Sequence, residues 1–404
     1  MIGPASLSLF WFLYLGALGV MLPFFSLYLS ENAGLSGTEV GLVVAMGPAV
    51  GLVAPTVWGQ AADRSRSRIR VLAVAIAGAT VLTALLAVLR GFVQLALGTA
   101  ALAAFSTGVI PLGVSVTLAA LGENALYTFG RVRVFGTVGF LVLVILFPPL
   151  LHRFQAARGL APLPGGPSEP GLEVMFVVTA VLTGISVLAA LLVPERREVD
   201  VRSRRGEWLE LRRHRPLVRA FCFTLLAFLF LQGPMSLFPL FLHARGGGLE
   251  ALSRMWILML LPEIPLIAFS GSVVRRLGSR GLLAAGVMAG GFRWLACGLS
   301  SDWRVIYAVQ PLHGVTVAGL GLGGALYVDA VVPGRLRSTG QGLNAMAGAG
   351  LGAIASNLAA GWLMDHVGTD APFVAAGVGA LVLVSMIPLI LPPPRRPEES
   401  GLTG

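Results

Sequence analysis

Residues 59–89 read GQAADRSRSRIRVLAVAIAGATVLTALLAVL, in which a polar segment rich in arginine leads directly into a long apolar run. From Val71 to Leu89 the chain carries no charged residue. A helix needs about 20 mostly apolar residues to cross the hydrocarbon core of a bilayer. The stretch therefore predicts a transmembrane helix with a charged loop at one end, and the same pattern recurs along the chain.

The composition of the whole chain agrees with this interpretation. Of its 404 residues, 56% are hydrophobic and only 12% are charged, whereas soluble domains have about 25% charged residues. A soluble fold of this length cannot bury so much apolar surface in one core. The fold class that we predict is therefore an all-α membrane protein.

Twelve apolar runs in the chain are long enough to span a bilayer as helices. They lie at 7–30, 38–60, 69–90, 93–120, 131–151, 172–194, 217–243, 251–274, 281–300, 303–330, 337–364 and 371–392. The sequence therefore predicts twelve transmembrane helices joined by short polar connections.

Arginine is distributed unevenly between the two sides that these spans define. All 29 lysine or arginine positions hold arginine: 22 fall on the side of both termini and the even-numbered connections, 6 on the other side, and Arg293 inside a span. Because cytoplasmic loops are enriched in basic residues, both termini are predicted to be cytoplasmic, in the inner (plasma) membrane. No basic residue precedes Arg64, so 7–30 lacks the basic start of a cleaved signal peptide and is predicted to be a retained span.

The two halves of the chain resemble each other in sequence. FSLYL at 25–29 ends the first span and FPLFL at 238–242 ends the seventh. With two further matches in the same order, at offsets of about 210 residues, this pair indicates an internal duplication of the kind common in transporter folds. We predict three parts: a six-helix bundle at 1–193, a basic cytoplasmic linker at 194–216 that either contacts anionic lipid or is solvated, and a second six-helix bundle at 217–404.

Three ionisable residues lie inside spans of the second half. Glu263 stands between Pro262 and Pro265 in span eight, Arg293 in span nine and His313 in span ten. Charges at bilayer depth are costly and usually face a water-filled pathway or pair with one another, and prolines disturb the helix there. We interpret Glu263, Arg293 and His313 as one cluster that exchanges a proton. The alternative is a static Glu–Arg pair beside a neutral histidine.

Further polar side chains within the spans are candidates for lining a cavity. Arg133 lies at the predicted edge of span five, where hydropathy alone favours a side chain that reaches the membrane interface. If it instead points inwards, we expect it to share one central cavity with the ionisable cluster. The other candidates, each of which could also face lipid or the core, are Tyr14, Tyr28, Ser115, Gln232 and Asn344.

The segment that opens the quoted stretch carries a recognisable motif. Gly59-Gln-Ala-Ala-Asp63-Arg64, followed by Arg68, resembles the loop signature between spans two and three of the major facilitator superfamily. The resemblance implies two pseudo-symmetric six-helix bundles, alternating access, and a gating role for Gly59, Asp63, Arg64 and Arg68.

A narrower resemblance comes from spans five and eight to ten. The stretches YTFGRVRVFG at 127–136, FRW at 292–294 and LHG at 312–314, together with Glu263, look like the proton-symporter branch that contains the lactose and phenylpropionate permeases. The resemblance to this branch covers nearly the whole chain. Its most specific element is the spacing of twenty residues from Arg293 to His313.

This branch implies roles for the matching residues. Its span-five arginine contacts substrate, which favours Arg133 as a cavity residue, and its glutamate, arginine and histidine take part in proton coupling. Its sugar permeases also carry an acid on span four, where this chain has Ser115 and Thr117, and another acid three residues after the histidine, where it has Thr316. These departures argue against sugar and favour a carboxylate-bearing, anionic or aromatic solute.

The function predicted from the sequence is a secondary transporter that moves a small organic solute with protons, as a monomer in the bilayer. One alternative is multidrug or metabolite efflux by proton antiport, although span five lacks a glycine–proline signature. A polytopic enzyme or receptor is the other, but we find no nucleophile elbow, P-loop or metal motif. We therefore predict no enzymatic activity, no cofactor and no metal. Arginines scattered between spans do not indicate nucleic acid as a partner.

Overall fold

A computed structural model describes residues 2–65, 67–122, 125–161, 169–194, 214–268, 270–332 and 336–393 of the chain. Every regular element in these residues is helical, and none of them is a β-strand. The prediction of an all-α membrane protein is confirmed.

Seven helices form from the first half of the chain. They are α1 (Ile2–Glu31), α2 (Gly37–Gly51), α3 (Ala54–Arg64), α4 (Arg68–Leu86), α5 (Phe92–Leu121), α6 (Ala125–Arg158) and α7 (Val174–Leu191). Local sequence explains their starts: Ser36 and Glu39 form a capping box at α2, and the Ser67 hydroxyl accepts the Arg70 N–H at the start of α4. The predicted second span is divided into α2 and α3, and Pro55 stands in the first turn of α3.

The second half forms more, shorter helical segments. They are α8 (Arg215–Ala244), α9 (Leu249–Leu260), α10 (Glu263–Ala268), α11 (Ser270–Leu299), α12 (Trp303–Ala308), α13 (Leu312–Val317), α14 (Gly324–Val331), α15 (Arg337–Ala345), α16 (Ala353–His366), α17 (Ala371–Ser385) and α18 (Ile387–Ile390). Two glycine-rich π-helical segments, Ala318–Gly323 and Met346–Gly352, interrupt the predicted tenth and eleventh spans.

Ten helices of the described residues are long and apolar enough to cross a membrane. The two predicted spans that are not among them are the eighth and the twelfth. The eighth is broken into α9 and α10 at Leu261 and Pro262, as its prolines predict, and the twelfth ends early at Ser385 in α17. Within α11, between the predicted eighth and ninth spans, the backbone is kinked at Gly278, whose φ of 65° favours glycine.

Large apolar side chains cover much of the outer surface. Val81, Val88 and Leu97 are 67%, 68% and 67% exposed. Apolar side chains that face outward in such numbers are the expected result of a fold whose solvent is hydrocarbon rather than water.

Residue contacts divide the chain into two units: residues 1–202 with 237–257, and residues 203–236 with 258–404. The last eight residues of α8 and all but the last turn of α9 thus belong to the first unit. There Ser253 Oγ donates to the Val144 carbonyl at 2.9 Å, and His243 Nε2 lies 2.9 Å from Glu31 Oε1. The predicted division at the linker stays a prediction, and linker residues 195–213 lie outside the described part.

Glycines bring α1 and α6 together in the first unit. A Cβ on Gly19 would lie 2.5 Å from the Phe140 carbonyl oxygen, and one on Gly139 would collide with the Phe12 carbonyl. Side chains are therefore excluded on both helices, so the two backbones approach as closely as small residues allow in membrane helices.

The second unit packs its first and fifth spans in the same way. A Cβ on Gly352 would lie 2.6 Å from the Leu225 carbonyl oxygen, and one on Gly233 would collide with the Ser356 carbonyl. The Gly233 N–H also donates to Ser356 Oγ at 2.6 Å. Each unit therefore joins its first and fifth spans through backbone contact at glycine, which is what an internal duplication leads one to expect.

Candidate functional site: a buried arginine cluster in the second unit

Arg293 is the centre of a polar cluster inside the second unit. It lies in α11, and only 2% of its surface is exposed. Its Nε donates to Gln310 Oε1 at 3.0 Å, and Gln310 is itself fully buried. A guanidinium at this depth is expensive unless its donors find acceptors, so the acceptors around it define the site.

His313 supplies a second contact to the same guanidinium. Arg293 Nη1 lies 3.3 Å from His313 Nδ1. Because a guanidinium has only N–H donors, Nδ1 must be the acceptor and carries no proton in this arrangement. A proton added to Nδ1 would set two donors against each other and break the contact. Proton binding at His313 and its contact with Arg293 therefore exclude one another.

Two methionine sulfurs also contact Arg293. Nη2 lies 2.9 Å from Met259 Sδ, and both terminal nitrogens lie 3.8 Å from Met235 Sδ. The guanidinium carbon stands 3.9 Å from the centroid of the Trp294 ring. Thioethers are weak acceptors that adapt their shape, so this side of the cation is held less firmly than the side bound by Gln310.

The backbone of Glu263 packs near the start of the helix that carries His313. Glu263 is the first residue of α10, immediately after the break at Pro262, and its side chain is half-buried. A Cβ on Gly314 would lie 3.1 Å from the Glu263 Cα, so the start of α10 packs against the residue that follows His313. All three ionisable residues of the predicted cluster thus belong to the second unit, where Arg293 contacts His313 and the Glu263 backbone packs against Gly314.

The π-helical segment that follows α13 lies close to α11. A Cβ on Gly286 would lie 2.7 Å from the Gly319 Cα, so here too the helices touch through their backbones. π-Helical turns are rare and often found at functional sites. In this chain the first of them begins five residues after His313.

Arg133 belongs to the first unit, where its guanidinium carbon lies 4.7 Å from the centroid of the Trp11 ring. Trp11 is fully buried in the core of that unit, and its Nε1 donates to Thr117 Oγ1 at 3.0 Å. Arg133 is half-buried. It therefore packs on the first helix over an aromatic face, the geometry of a cation–π contact.

Arg68 of the predicted loop motif contacts Ser115, which we predicted to line the cavity. Arg68 Nη2 lies 3.4 Å from Asp63 Oδ1, and its Nη1 donates to Ser115 Oγ at 3.4 Å. Arg64 is exposed, and no atom comes within 4 Å of where a Cβ on Gly59 would lie. The contact of Ser115 is thus with the start of α4.

The remaining cavity candidates have separate partners. Tyr14 OH donates to the Ser106 carbonyl at 3.3 Å. In the second unit Gln232 Nε2 donates to Ser236 Oγ at 3.5 Å, and Thr224 Oγ1 donates to Asn344 Oδ1 at 2.9 Å. The Gln232 contact lies within one helix, and the Tyr14 and Asn344 contacts each join two helices of one unit. Such contacts are compatible with helix packing as well as with the lining of a cavity.

Tyr28 borders a small cavity in the first unit, of about 320 Å³. Its lining residues are Tyr28, Glu31, Asn32, Arg90, Glu169, Pro170, Gly171 and Glu173. Arg90 Nη1 lies 3.5 Å from the Tyr28 hydroxyl. Burial raises the pKa of Glu169, and hydrogen bonds from Gln155 and from the Leu249 backbone, with the charge of His152, act in the opposite direction.

Sequence reasoning missed several of the side chains that shape these sites. Gln310, Met235 and Met259 contact Arg293, and Trp11 lies beneath Arg133. The contact of Gln310 could have been predicted, because Gln310 stands three residues before His313 and so on the same side of the span. The methionines had none, since methionine is an ordinary residue of an apolar helix.

Comparisons with known proteins agree with one another. The model of the MFS_1 like family matches residues 5–375. A maltose permease of Geobacillus stearothermophilus is 27% identical over 385 residues, 93% of this chain and 92% of that protein. The "Probable 3-phenylpropionic acid transporter" of Escherichia coli (strain K12) is 26% identical over 345 residues, 80% of this chain and 82% of that protein. The crystal structure of the nucleoside transporter NupG has a similar fold, with a TM-score of 0.80 at 16% identity over 96% of this chain and 98% of that one.

Proposed function

The chain belongs to the MFS_1 like family and is a secondary transporter of the major facilitator superfamily, and on this premise we propose that it carries a small organic solute across the plasma membrane together with protons, by alternating access. Such proteins move solutes and are not enzymes.

The observation that carries the proton-coupling part is the contact between Arg293 and His313. Arg293 Nη1 needs an unprotonated Nδ1 at 3.3 Å. When a proton binds there, the guanidinium must turn to another acceptor. A buried cation that exchanges partners when a proton arrives can link protonation to the binding of an anionic group, and such linkage is what symport requires.

Glu263 is the second proton-exchanging group that we propose. Its position at a helix break and the packing of its backbone against Gly314, the residue after His313, support this role. Burial disfavours a charged carboxylate, and a nearby guanidinium favours it. A carboxyl that meets each environment in turn can take up a proton in one stage of the cycle and release it in another.

The solute that we propose carries a carboxylate, an aromatic ring or both. Arg133, half-buried over the Trp11 ring, offers a cation to a carboxylate. Thr316 occupies the position where sugar permeases of the resembling branch have an acid, and its hydroxyl donates to the Leu312 carbonyl at 3.1 Å. A relative named for 3-phenylpropionic acid, an aromatic carboxylic acid, supports this choice over sugar.

Uptake into proteoliposomes with an imposed pH gradient, acidic outside, tests the proposal. The probes are 3-phenylpropionate, maltose and uridine, after the substrates named for the relatives and the neighbouring structure. We expect 3-phenylpropionate to accumulate above its outside concentration and a protonophore to abolish that accumulation. Equilibration without accumulation would indicate uniport, preferential uptake of maltose would indicate a sugar carrier, and movement against the proton flow would indicate the antiport alternative.

A further inference from the structure

Gln310 binds Arg293 at Nε, whereas the contacts described above for His313 and the two methionines are with the terminal nitrogens. The Gln310 oxygen accepts from Arg293 Nε at 3.0 Å. Its nitrogen donates to the Ile306 carbonyl at 2.6 Å and lies 3.7 Å from Cys297 Sγ. Because the amide nitrogen is occupied in this way, the oxygen is turned toward the guanidinium and cannot exchange places with the nitrogen without losing two contacts.

Gln310 lies at a break between two helices of the predicted tenth span. It lies between α12, which ends at Ala308, and α13, which begins at Leu312 after Pro311. His313 follows three residues later, so both contacts to Arg293 leave one face of the same span. Gln310 is fully buried and has a neutral side chain, so the hydrogen bond that it accepts from Nε adds no charge to the cluster.

We infer that Gln310 is a positioning residue that acts as the pivot of Arg293. It anchors Nε, so that the guanidinium can turn its two terminal nitrogens between His313 and another acceptor without leaving the site. The inference rests on the proposed function in one respect, since the turning is what would couple proton and solute. The anchoring itself is a property of the resting protein and can be tested without any solute.

The consequence that an experiment can detect is the tautomer of His313. In the resting protein, before a proton reaches Nδ1, the anchored Nε keeps Nη1 directed at Nδ1, so His313 should carry its ring proton on Nε2 alone. Without the anchor, the guanidinium is free to move, and the two neutral tautomers of the imidazole should interconvert. A residue that merely fills space would not affect this equilibrium.

Nitrogen-15 NMR of histidine-labelled protein in lipid nanodiscs measures that tautomer. The chain has five histidines, and comparison with His313→Asn assigns the signal. The wild type is expected to show one unprotonated and one protonated ring nitrogen. Gln310→Met keeps the length of the side chain but lacks the oxygen, and should lose these separate signals. Gln310→Glu keeps an oxygen at that place and should retain them.

A matched control and the uptake assay make the result interpretable. Gln94→Met changes a glutamine of the first unit, whose oxygen accepts the Arg90 N–H, and should leave the His313 signals unchanged. Separate signals that persist in Gln310→Met, or that are already missing in the wild type, would overturn the inference; the wild-type spectrum decides even if a variant does not fold. If the spectra behave as expected but no proton-driven uptake is found, the pivot stands and the symport proposal fails.

Discussion

At the scale of single residues, the most informative feature is a buried cation whose acceptors include neutral groups. The amide of Gln310, the imidazole of His313 and two thioethers all contact Arg293. Such acceptors satisfy donors without pinning the charge as a bidentate carboxylate would. Each of these neutral contacts can therefore be exchanged at a lower cost than a bidentate carboxylate contact.

Replacing Glu263 by glutamine should separate coupling from movement of the solute. Glutamine keeps the shape and hydrogen-bonding capacity of the side chain but cannot change its charge. We expect uphill accumulation driven by a pH gradient to be lost, at least tenfold below the wild type, while exchange of labelled for unlabelled solute continues. Paired accumulation and exchange assays in the same proteoliposomes measure both.

His152→Gln, in the first unit, is a suitable control for the loss of a titratable side chain outside the cluster. It should leave accumulation unchanged. If Glu263→Gln still concentrates solute at the wild-type rate, Glu263 has a structural role and the mechanism proposed for it is wrong.

Glu169 provides a pH-dependent prediction outside the membrane spans. Burial raises its pKa above the ordinary 4.5. A carboxyl whose pKa is raised by folding favours the folded state when protonated, so this stability is complete below pH 4.5 and is lost as the pH rises through the raised value. Glu169→Gln is neutral throughout, and so its unfolding temperature should exceed that of the wild type at neutral pH and equal it in acid.

Thermal unfolding in detergent from pH 4 to 8 measures the difference, and Glu39→Gln, which changes a half-buried carboxylate of the α2 capping box, serves as the comparison. An unfolding temperature of Glu169→Gln that stays below the wild type at neutral pH would show that the hydrogen bonds to Glu169 outweigh its burial.

At the scale of elements, glycine decides which helices may touch. In the first unit Gly139 faces the Phe12 carbonyl, and in the second unit Gly233 faces the Ser356 carbonyl. In hydrocarbon, helices associate through close packing rather than through release of water. A methyl group at either position therefore removes the contact that joins the first and fifth spans.

Gly139→Ala should destabilise the protein by about 1–3 kcal/mol, because a Cβ there meets backbone that cannot move aside. Gly47→Ala is the matched control: Gly47 is also helical, but nothing lies within 4 Å of the place its Cβ would take. That substitution should be neutral or stabilising, since alanine favours helix. Denaturant or thermal unfolding of both variants in the same detergent compares them, and equal stability would refute the packing argument.

At the scale of the whole molecule, the arginine distribution makes a prediction about orientation. Both termini and the 194–216 linker should face the cytoplasm. With Cys222 and Cys297 replaced by alanine, a cysteine introduced at Arg205 should react with an impermeant maleimide in inverted vesicles or permeabilised cells and remain unlabelled in intact cells. A cysteine at Gly246, on the opposite side in the predicted topology, should show the reverse pattern, and labelling of position 205 in intact cells would contradict the topology.

Much of the fold could be predicted from the sequence, because membrane helices are specified locally. A run such as 71–89 must be helical in hydrocarbon, where every backbone N–H needs an internal partner. The superfamily likewise followed from short motifs such as Gly59–Arg68. The break at Pro262 was foreseeable from the proline itself, but the split of the second span and the two π-helical segments were not, because they depend on how neighbouring helices pack.

The candidate site was predictable in its charged members only. Ionisable side chains in an apolar span are rare because burying them in the bilayer costs free energy. The sequence pattern therefore reveals Glu263, Arg293 and His313. Which of them touch, and through which atoms, is settled by helices that are distant in sequence. Met235 on α8, Met259 on α9 and Gln310 before α13 meet at Arg293 only after these helices have packed.

By itself, then, the amino-acid sequence determined the solvent of this protein, its helical spans, its superfamily and the ionisable residues that its membrane must accommodate, since each depends on local hydropathy or on a short motif. The tertiary structure alone decided that Arg293 donates to Gln310 and His313, that Arg133 lies over Trp11, and that Ser115 contacts Arg68. The physical reason is that hydrogen bonds and ring contacts require distances of a few ångströms, and helix packing sets those distances through glycines and methionines that no hydropathy pattern distinguishes.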